Sequence, residues 1–190
     1  MNFDALSLTG DVWILLGIIW LLGALRVKAT ERREPMVSRL LHAAFMVAAF
    51  VLLYDRNLNV ELLSRRFVPE TGAIAWGGFG LVLCGASFAL WARFYIGTNW
   101  SANVTLKQDH ELIRSGPYAV VRHPIYSGLL LAILGTAVVI GEVRTLIGLV
   151  LAFAGWRIKA GVEEGFMAAR FGEEYTRYRR QVKALIPFVY

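Results

Sequence analysis

The sequence has few of the residues on which most soluble catalytic and metal sites depend. Its one cysteine, Cys84, lies within an apolar run, so no disulfide can form within the chain and we expect a small core residue. The three histidines, His42, His110 and His123, are scattered, and we predict no metal centre. No P-loop, GxSxG turn or HExxH helix is present, which excludes the enzyme classes built on those motifs.

The chain has long apolar runs instead. Hydrophobic residues make up 57% of it, more than the roughly 45–50% of a soluble domain. The first residues carry no basic stretch and no small-residue cleavage site follows, so we expect a retained first helix rather than a signal peptide. We predict an all-α integral membrane bundle, one domain over residues 1–190, with five spanning helices. Their predicted ranges are Val12–Leu25, Leu40–Tyr54, Gly72–Ile96, Ile125–Ile140 and Val143–Ile158.

The basic residues predict the orientation of this bundle. Fifteen of the 20 lysines and arginines fall in the first loop, the 97–124 loop and the C-terminal tail. The positive-inside rule places these segments in the cytoplasm and the N-terminus outside. The net charge of +6 therefore reflects cytoplasmic loops, and we expect no nucleic-acid partner.

The run GPYAVVRHPIYSG, residues 116–128, contains the chemistry-bearing residues closest to a predicted membrane boundary. Pro117 and Pro124 fix their own φ and extend the residue before them, so we predict a shaped loop, with Pro124 in the first turn of the next helix. Such a loop would hold Tyr118, Arg122 and His123 in fixed directions. Alternatively, Arg122 and His123 only cap that helix or meet lipid head groups.

A pair of carboxylates, Glu163 and Glu164, follows the last apolar run and poses the same question. The pair could be first-turn charges at a helix N-terminus, or an ordinary ion pair. Facing Arg122 and His123 across a pocket, it would instead suit a ligand that carries both amino and carboxylate groups. The residues themselves leave these alternatives open. After the pair we predict an amphipathic helix ending at Gly172, then a short helix with Tyr175 and Tyr178 that Pro187 closes.

The run at 116–128 and the later EEGFMAARFGEEYTRYRRQVKALIPF together resemble the two signature regions of the isoprenylcysteine carboxyl methyltransferase family. Phospholipid N-methyltransferases share a similar pattern. The regions span residues 103–128 and 157–188. The resemblance implies a prokaryotic cell-membrane enzyme that uses S-adenosylmethionine in a cytoplasmic pocket formed by the 97–124 loop and the C-terminal helices.

Site residues follow from the resemblance by position. It assigns catalytic roles to Arg122, Glu163 and Glu164, and substrate binding to Arg157 and Lys159. Lys159 takes the place of the basic residue that holds the substrate in such enzymes. A lysine does not bind a carboxylate bidentately as an arginine does, so this departure speaks against a prenylcysteine-type substrate. The implied cofactor-binding set is Asn103, His110, Glu111, Leu112, Ile113, Tyr118, His123, Pro124, Ile125, Tyr126 and Glu163.

The expected reaction is methyl transfer to a small lipophilic acceptor that enters from the bilayer. A carboxylate acceptor is ionised at neutral pH and needs no general base, so positioning is the main task of the enzyme. Three alternatives stay open: a phospholipid, amine or phenol methyltransferase of the same family, a sterol-reductase-like NADPH enzyme, and a non-catalytic protein that binds membrane lipids.

Overall fold

The computed structural model describes residues 4–24, 30–33, 35–55, 57–58, 60–97, 105–107 and 112–189. Within these ranges the chain forms seven α-helices, a 3-10 helix and one two-stranded antiparallel sheet. In chain order the elements are α1 Ala5–Ala24, β1 Thr30–Arg33, α2 Met36–Tyr54, α3 Glu61–Ser64, α4 Gly72–Ile96, β2 Thr105–Lys107, the 3-10 helix Gly116–Ala119, α5 Pro124–Ile140, α6 Val143–Phe171 and α7 Glu173–Gln181.

The helices are those of an integral membrane protein. Four of them, α1, α2, α4 and α6, are long and apolar enough to cross a membrane, and α5 is a shorter apolar helix of 17 residues. The expected all-α membrane class is therefore confirmed at this level. The small sheet was not predicted: β1 and β2 join the first loop to the central loop, pairing Thr30 with Lys107 and Arg33 with Thr105.

The predicted helix bounds hold best where the sequence has clear end signals. Helix α4 spans the predicted residues, because Thr71 caps its first turn and Gly97 ends it with a φ of +57°. The helix that contains the predicted fifth span does not end at Ile158. Helix α6 continues to Phe171, since nothing between these residues breaks a helix, and its 29 residues extend about 43 Å. That exceeds the ~30 Å apolar core of a bilayer, so its charged last turns project beyond it.

Helices α4 and α5 pack closely along a line of small residues. Gly78, Gly85 and Ala89 on α4 meet Gly128 and Gly135 on α5. A Cβ added to Gly85 would lie 2.4 Å from the backbone nitrogen of Ala132. Without side chains between them the two backbones approach directly, and dispersion replaces the hydrophobic effect as the force that holds apolar helices together in lipid.

The other helices complete the bundle around a buried cluster on α2, α5 and α6. Helix α2 packs along α6, and α1 crosses α4 and α5. Trp13 on α1 donates its indole N–H to the Thr136 hydroxyl on α5 at 3.0 Å and contacts Phe50 on α2 edge to face. The buried cluster beneath it consists of Ala49, Leu53, Ile133, Ala152 and Trp156.

The outer surfaces of the long helices are apolar, as contact with lipid requires. Ile14, Leu21 and Phe94 are examples of large apolar side chains that are more than half exposed. Cys84 lies on the same kind of surface and is exposed. The expectation that Cys84 is a core residue is wrong, because α4 is apolar all round and its sequence does not tell which side faces its neighbours.

The contact between α4 and α5 gives the first prediction. Gly85→Ala should destabilise the protein by about 1–3 kcal/mol, because the added methyl group meets the α5 backbone. The matched control is Gly80→Ala on the same helix, where a Cβ would have open space, and this variant should be as stable as the parent or more so. Thermal unfolding in detergent measures both. Equal melting temperatures for the two variants would contradict the close packing.

Candidate functional site

The loop before α5 has the shape that its prolines predict. Gly116 adopts a φ of +58° and begins the 3-10 helix, with the ring of Tyr95 lying 2.7 Å from where a Cβ would be. Pro117 stands in the first turn of the 3-10 helix, and Pro124 in the first turn of α5. His123 is the residue just before α5, and its side chain makes no capping hydrogen bond to that helix. The helix-capping alternative therefore does not describe His123.

A C-terminal segment, residues 182–189, closes this loop from the other side; we call it the terminal strap. The carbonyl of Lys183 accepts the N–H of Arg122 at 2.8 Å, and that of Ala184 accepts the N–H of His123 at 3.0 Å. The Ser127 hydroxyl donates to the carbonyl of Leu185 at 2.5 Å. Because the chain turns extended at Val182 to make these bonds, α7 ends at Gln181. The prediction that Pro187 closes that helix is wrong.

Arg122 joins the loop, α6 and α7 through one guanidinium group. Its Nη2 and Nε lie 2.6 and 3.0 Å from Oε1 of Glu164, and its Nη1 donates to the carbonyls of Arg179 and Val182. The side chains of Arg122 and Glu164 are only 8% and 11% exposed. Such a shielded ion pair tolerates removal of neither partner, because the other charge would be left buried.

His123 lies between the two glutamates of α6. Its Nδ1 is 3.1 Å from Glu163 and its Nε2 is 3.2 Å from Glu164. Burial alone would lower the pKa of His123, but the hydrogen bonds and negative charges of the two carboxylates outweigh burial and raise this pKa above its ordinary value. The imidazole is thus held with both nitrogens donating, as in its protonated form.

An aromatic stack extends the cluster into the apolar bundle. The rings of His123 and Tyr126 are stacked with centroids 5.5 Å apart, and Tyr126 stacks in turn on Trp156 at 6.0 Å. The Tyr126 hydroxyl donates to Glu163, and the Lys159 ammonium lies 5.7 Å from the centre of the Tyr126 ring. Charged groups at the head of the site therefore pass directly into an aromatic wall.

The structure brings six of the predicted site residues into one cluster. They are Arg122, His123, Tyr126, Lys159, Glu163 and Glu164.

Four more predicted residues lie beside the cluster or support it. Tyr118 and Ile125 are buried in the adjoining apolar group, against which Ile113 packs, and Pro124 starts α5. Burial and the nearby Glu163 carboxylate raise the pKa of Tyr118, so its phenol stays protonated.

Of the remaining predicted residues, Leu112 and Arg157 lie in the described chain. Leu112 is half-buried at the start of the loop, and no described contact joins it to the charged residues. Arg157 is exposed on α6. Asn103, His110 and Glu111 lie outside the described residues.

Sequence reasoning missed Trp156, Arg179 and the strap carbonyls. Arg179 contacts Glu164 at 3.5 Å. Trp156 precedes Lys159 and Glu163 at helical spacing, which was a usable signal that all three share one side of a continuous α6. The backbone contacts of the strap had no signal, because carbonyl groups are the same in every residue.

A cavity of about 600 Å³ lies at the opposite end of the bundle, away from this cluster. Its walls include Leu53, Arg66, Thr71 and Arg144. Arg144 donates to the last carbonyls of α2 and pairs with Glu142 at 2.5 Å, and Arg66 donates to the last carbonyl of α5. These arginines stabilise helix C-termini, so the cavity carries no chemistry comparable to that of the charged cluster.

Comparison with known proteins points to one family. The sequence model described as phospholipid methyltransferase matches residues 73–174, more than half of the chain. The protein-S-isoprenylcysteine O-methyltransferase of Rattus norvegicus is 33% identical over 135 residues, which cover 67% of this chain and 47% of the rat protein. A probable protein-S-isoprenylcysteine O-methyltransferase of Oryza sativa subsp. indica is 28% identical over 163 residues, covering 83% and 84%.

A solved structure shows the same fold. The chain aligns with the eukaryotic intramembrane Ras methyltransferase ICMT (isoprenylcysteine carboxyl methyltransferase) with a TM-score of 0.56 and 21% identity. The alignment covers 84% of this chain and 55% of that one. The chain thus spans about half the length of the rat protein and of this structure. The resemblance found in the two sequence regions is confirmed.

The position of His123 predicts a pH dependence of stability. Because its folded-state pKa is raised, the stabilisation should be complete below the ordinary histidine value of about 6.5 and should be lost as pH rises through the raised pKa. The difference in melting temperature between parent and His123→Gln, measured from about pH 6 to about pH 9, should shrink over that interval.

Glu163→Gln is the companion variant for this measurement. It removes one of the two carboxylates, so the pH at which the stabilisation disappears should move to a lower value. The effect of His123→Gln on the melting temperature is measured in the parent and in the Glu163→Gln background. If this effect does not change with pH in either background, the carboxylates do not hold a proton on His123.

Proposed function

The chain belongs to the phospholipid methyltransferase family, and we propose that it transfers the methyl group of S-adenosylmethionine to a small lipophilic acceptor, a carboxylate in the first instance. The single observation that carries this proposal is the junction of two glutamates with an aromatic stack at the end of the apolar bundle. The relatives named above are O-methyltransferases of isoprenylcysteine, and the similar solved structure is an isoprenylcysteine carboxyl methyltransferase, which favours a carboxylate.

The residues present fit this cofactor. S-adenosylmethionine supplies, when bound, a methyl group on a positively charged sulfur that is already electrophilic. Glu163 is the more accessible carboxylate, with 25% of its side chain exposed against 11% for Glu164. Glu164 is held by the Arg122 guanidinium, whereas Glu163 contacts the His123 ring and the Tyr126 hydroxyl and also feels the charge of Lys159. We therefore assign to Glu163 the amino group of the cofactor, which S-adenosylhomocysteine shares.

The other residues orient and shield the reacting groups. The faces of Tyr126 and Trp156 favour a cation beside them, and Tyr118 and Ile125 form an apolar wall that excludes water. Arg122 fixes Glu164 and the strap, which makes it a positioning residue more than a group in contact with the acceptor. Exclusion of water and alignment of the two reactants are what methyl transfer requires of a protein.

The acceptor would reach the site from the bilayer. The aromatic stack is continuous with the buried cluster of α2, α5 and α6, so an apolar tail would lie among these helices while its polar head meets Lys159. Lys159 lies beside Tyr126, whereas Arg157 is exposed, so the geometry supports Lys159 as the substrate residue. We further propose that α5 also crosses the membrane, which makes five spans, and that the site faces the cytoplasm, because the exposed cations of the tail lie at this end.

A phospholipid amine is the second candidate acceptor. It is favoured by the family description itself, which covers residues 73–174. An amine is protonated at neutral pH and must lose its proton before it can attack, so this reaction would need a base. Glu163 and His123 are the groups at the site that could take the proton.

Cofactor binding gives a direct test. Calorimetric titration of S-adenosylhomocysteine into the detergent-solubilised protein should show binding that Glu163→Gln weakens about ten- to a hundred-fold, because one charge-assisted contact is lost. Glu173→Gln is the matched control, since this carboxylate lies in the first turn of α7, is exposed and takes no part in the described cluster. No binding by a folded parent would contradict the proposal. Protection by NADPH from heat would then favour a reductase, and protection by neither cofactor a lipid-binding protein.

The pH dependence of turnover separates the two acceptors. With a carboxylate acceptor the acceptor itself should impose no rise in rate between about pH 6 and pH 9, since the group is ionised throughout. With an amine acceptor the rate should rise about tenfold per unit until the amine is deprotonated. The measurement compares a prenylated cysteine analogue and phosphatidylethanolamine in the same vesicles. Failure of both acceptors while S-adenosylhomocysteine still binds would overturn the acceptor assignment alone.

A further inference from the structure

The terminal strap lies against the loop before α5 and the first turn of that helix. It runs in the same direction as the loop at Arg122 and His123 and reaches Ser127, one turn inside α5, at Leu185. The strap at Leu185 is thus beside the first turn of an apolar helix, and the chain turns back at Ile186–Val189. With α5 in the membrane, as proposed above, this part of the strap lies at the depth where the head groups meet the acyl chains.

The residues that follow Leu185 are apolar and exposed. Ile186 is 43% exposed, Phe188 93% and Val189 71%. Phe188 also adopts a φ of +65°, a left-handed conformation that costs free energy for a residue with a side chain. Leu185, by contrast, is buried at 1%. The strap thus buries Ala184 and Leu185 in the protein and leaves Ile186, Phe188 and Val189 exposed, at a place where lipid would cover them.

The helix before the strap presents positive charge. Helix α7 buries Tyr175 and Tyr178 against the protein, whereas Arg177, Arg180 and Lys183 are exposed. The acidic side chains nearby are partly neutralised, since Glu174 pairs with Arg114 at 3.0 Å and Glu164 with Arg122 and Arg179. The cations match the negative surface of an anionic leaflet, and the exposed apolar segment beside them matches its apolar interior.

We propose that α7 and the terminal strap form an interfacial anchor for anionic phospholipid, with Arg177 and Arg180 on the head groups and Phe188 and Val189 among the acyl chains. The same strap carbonyls hold Arg122 and His123, so lipid bound at this surface stabilises the charged cluster from outside. The lipid here is a partner of the surface and not the methyl acceptor, so the proposal stands apart from the identity of the reaction.

The head-group contact is tested by thermal unfolding in detergent during titration of short-chain phosphatidylglycerol or phosphatidylcholine. The melting temperature of the parent should rise at lower concentrations of phosphatidylglycerol. In Arg177→Gln/Arg180→Gln the apparent affinity for phosphatidylglycerol should fall about thirty-fold, at about five-fold per cation. Arg65→Gln, which removes an exposed charge from the opposite end of the bundle, should bind like the parent. Equal effects of both lipids on the parent, or an unchanged double variant, would overturn the proposal.

The apolar contact needs a separate probe. In a Cys84→Ala background, which removes the exposed native thiol, Phe188→Cys labelled with an environment-sensitive fluorophore should emit at shorter wavelength in vesicles and be quenched by nitroxide-bearing lipid. The same label at Arg180→Cys should report water. Emission from the label at 188 that reports water in vesicles would show that solvent covers this residue. Emission that changes with protein concentration at fixed lipid would show that a second copy of the chain covers it. Either result would refute the anchor.

Discussion

The ion pair between Arg122 and Glu164 is the contact on which the architecture of the site depends. One guanidinium group reaches α6 through Glu164 and the end of α7 through the carbonyls of Arg179 and Val182. It lies next to His123, so its position also decides where the imidazole meets the two glutamates. Three segments far apart in sequence thereby share one charge centre, and the low exposure of the pair means that solvent cannot substitute for any member.

The bundle places this centre where it does through helix length. Helix α6 is longer than the apolar core, and Glu163 comes about 30 Å after its start at Val143, close to the thickness of that core. Trp156 and Tyr126 stack on the apolar side of the carboxylates, and the Tyr126 hydroxyl reaches Glu163. A polar cofactor and an apolar acceptor can meet only at such a boundary, because each is poorly soluble in the surroundings of the other.

The sequence predicted the features that local signals determine and missed those set by long-range contacts. Helix α4 was predicted residue for residue, since its cap, its apolar run and its final glycine are all local. Glu163 and Glu164 were interpreted as following a helix, whereas α6 runs straight through them, because their meaning as site residues depends on α5. That the glutamate pair faces Arg122 and His123 was one of the alternatives that the residues left open. The strap could not be predicted, since backbone carbonyls leave no pattern in side chains.

The charges of the cluster link cofactor binding to protonation. Glu163 and Glu164 carry two negative charges, and Arg122 together with a protonated His123 balances them, with Lys159 beside Tyr126. A cation bound at Glu163 takes the place that the imidazolium proton occupies, because both compete for the same carboxylate and like charges at this distance repel. Loss of the proton from His123 would therefore accompany binding of a cationic cofactor. In the free site the contact between His123 and Glu163 stabilises the fold, and a cation bound at Glu163 would replace this contact. A buried, paired histidine is therefore compatible with the proposed role of the cluster in cofactor recognition.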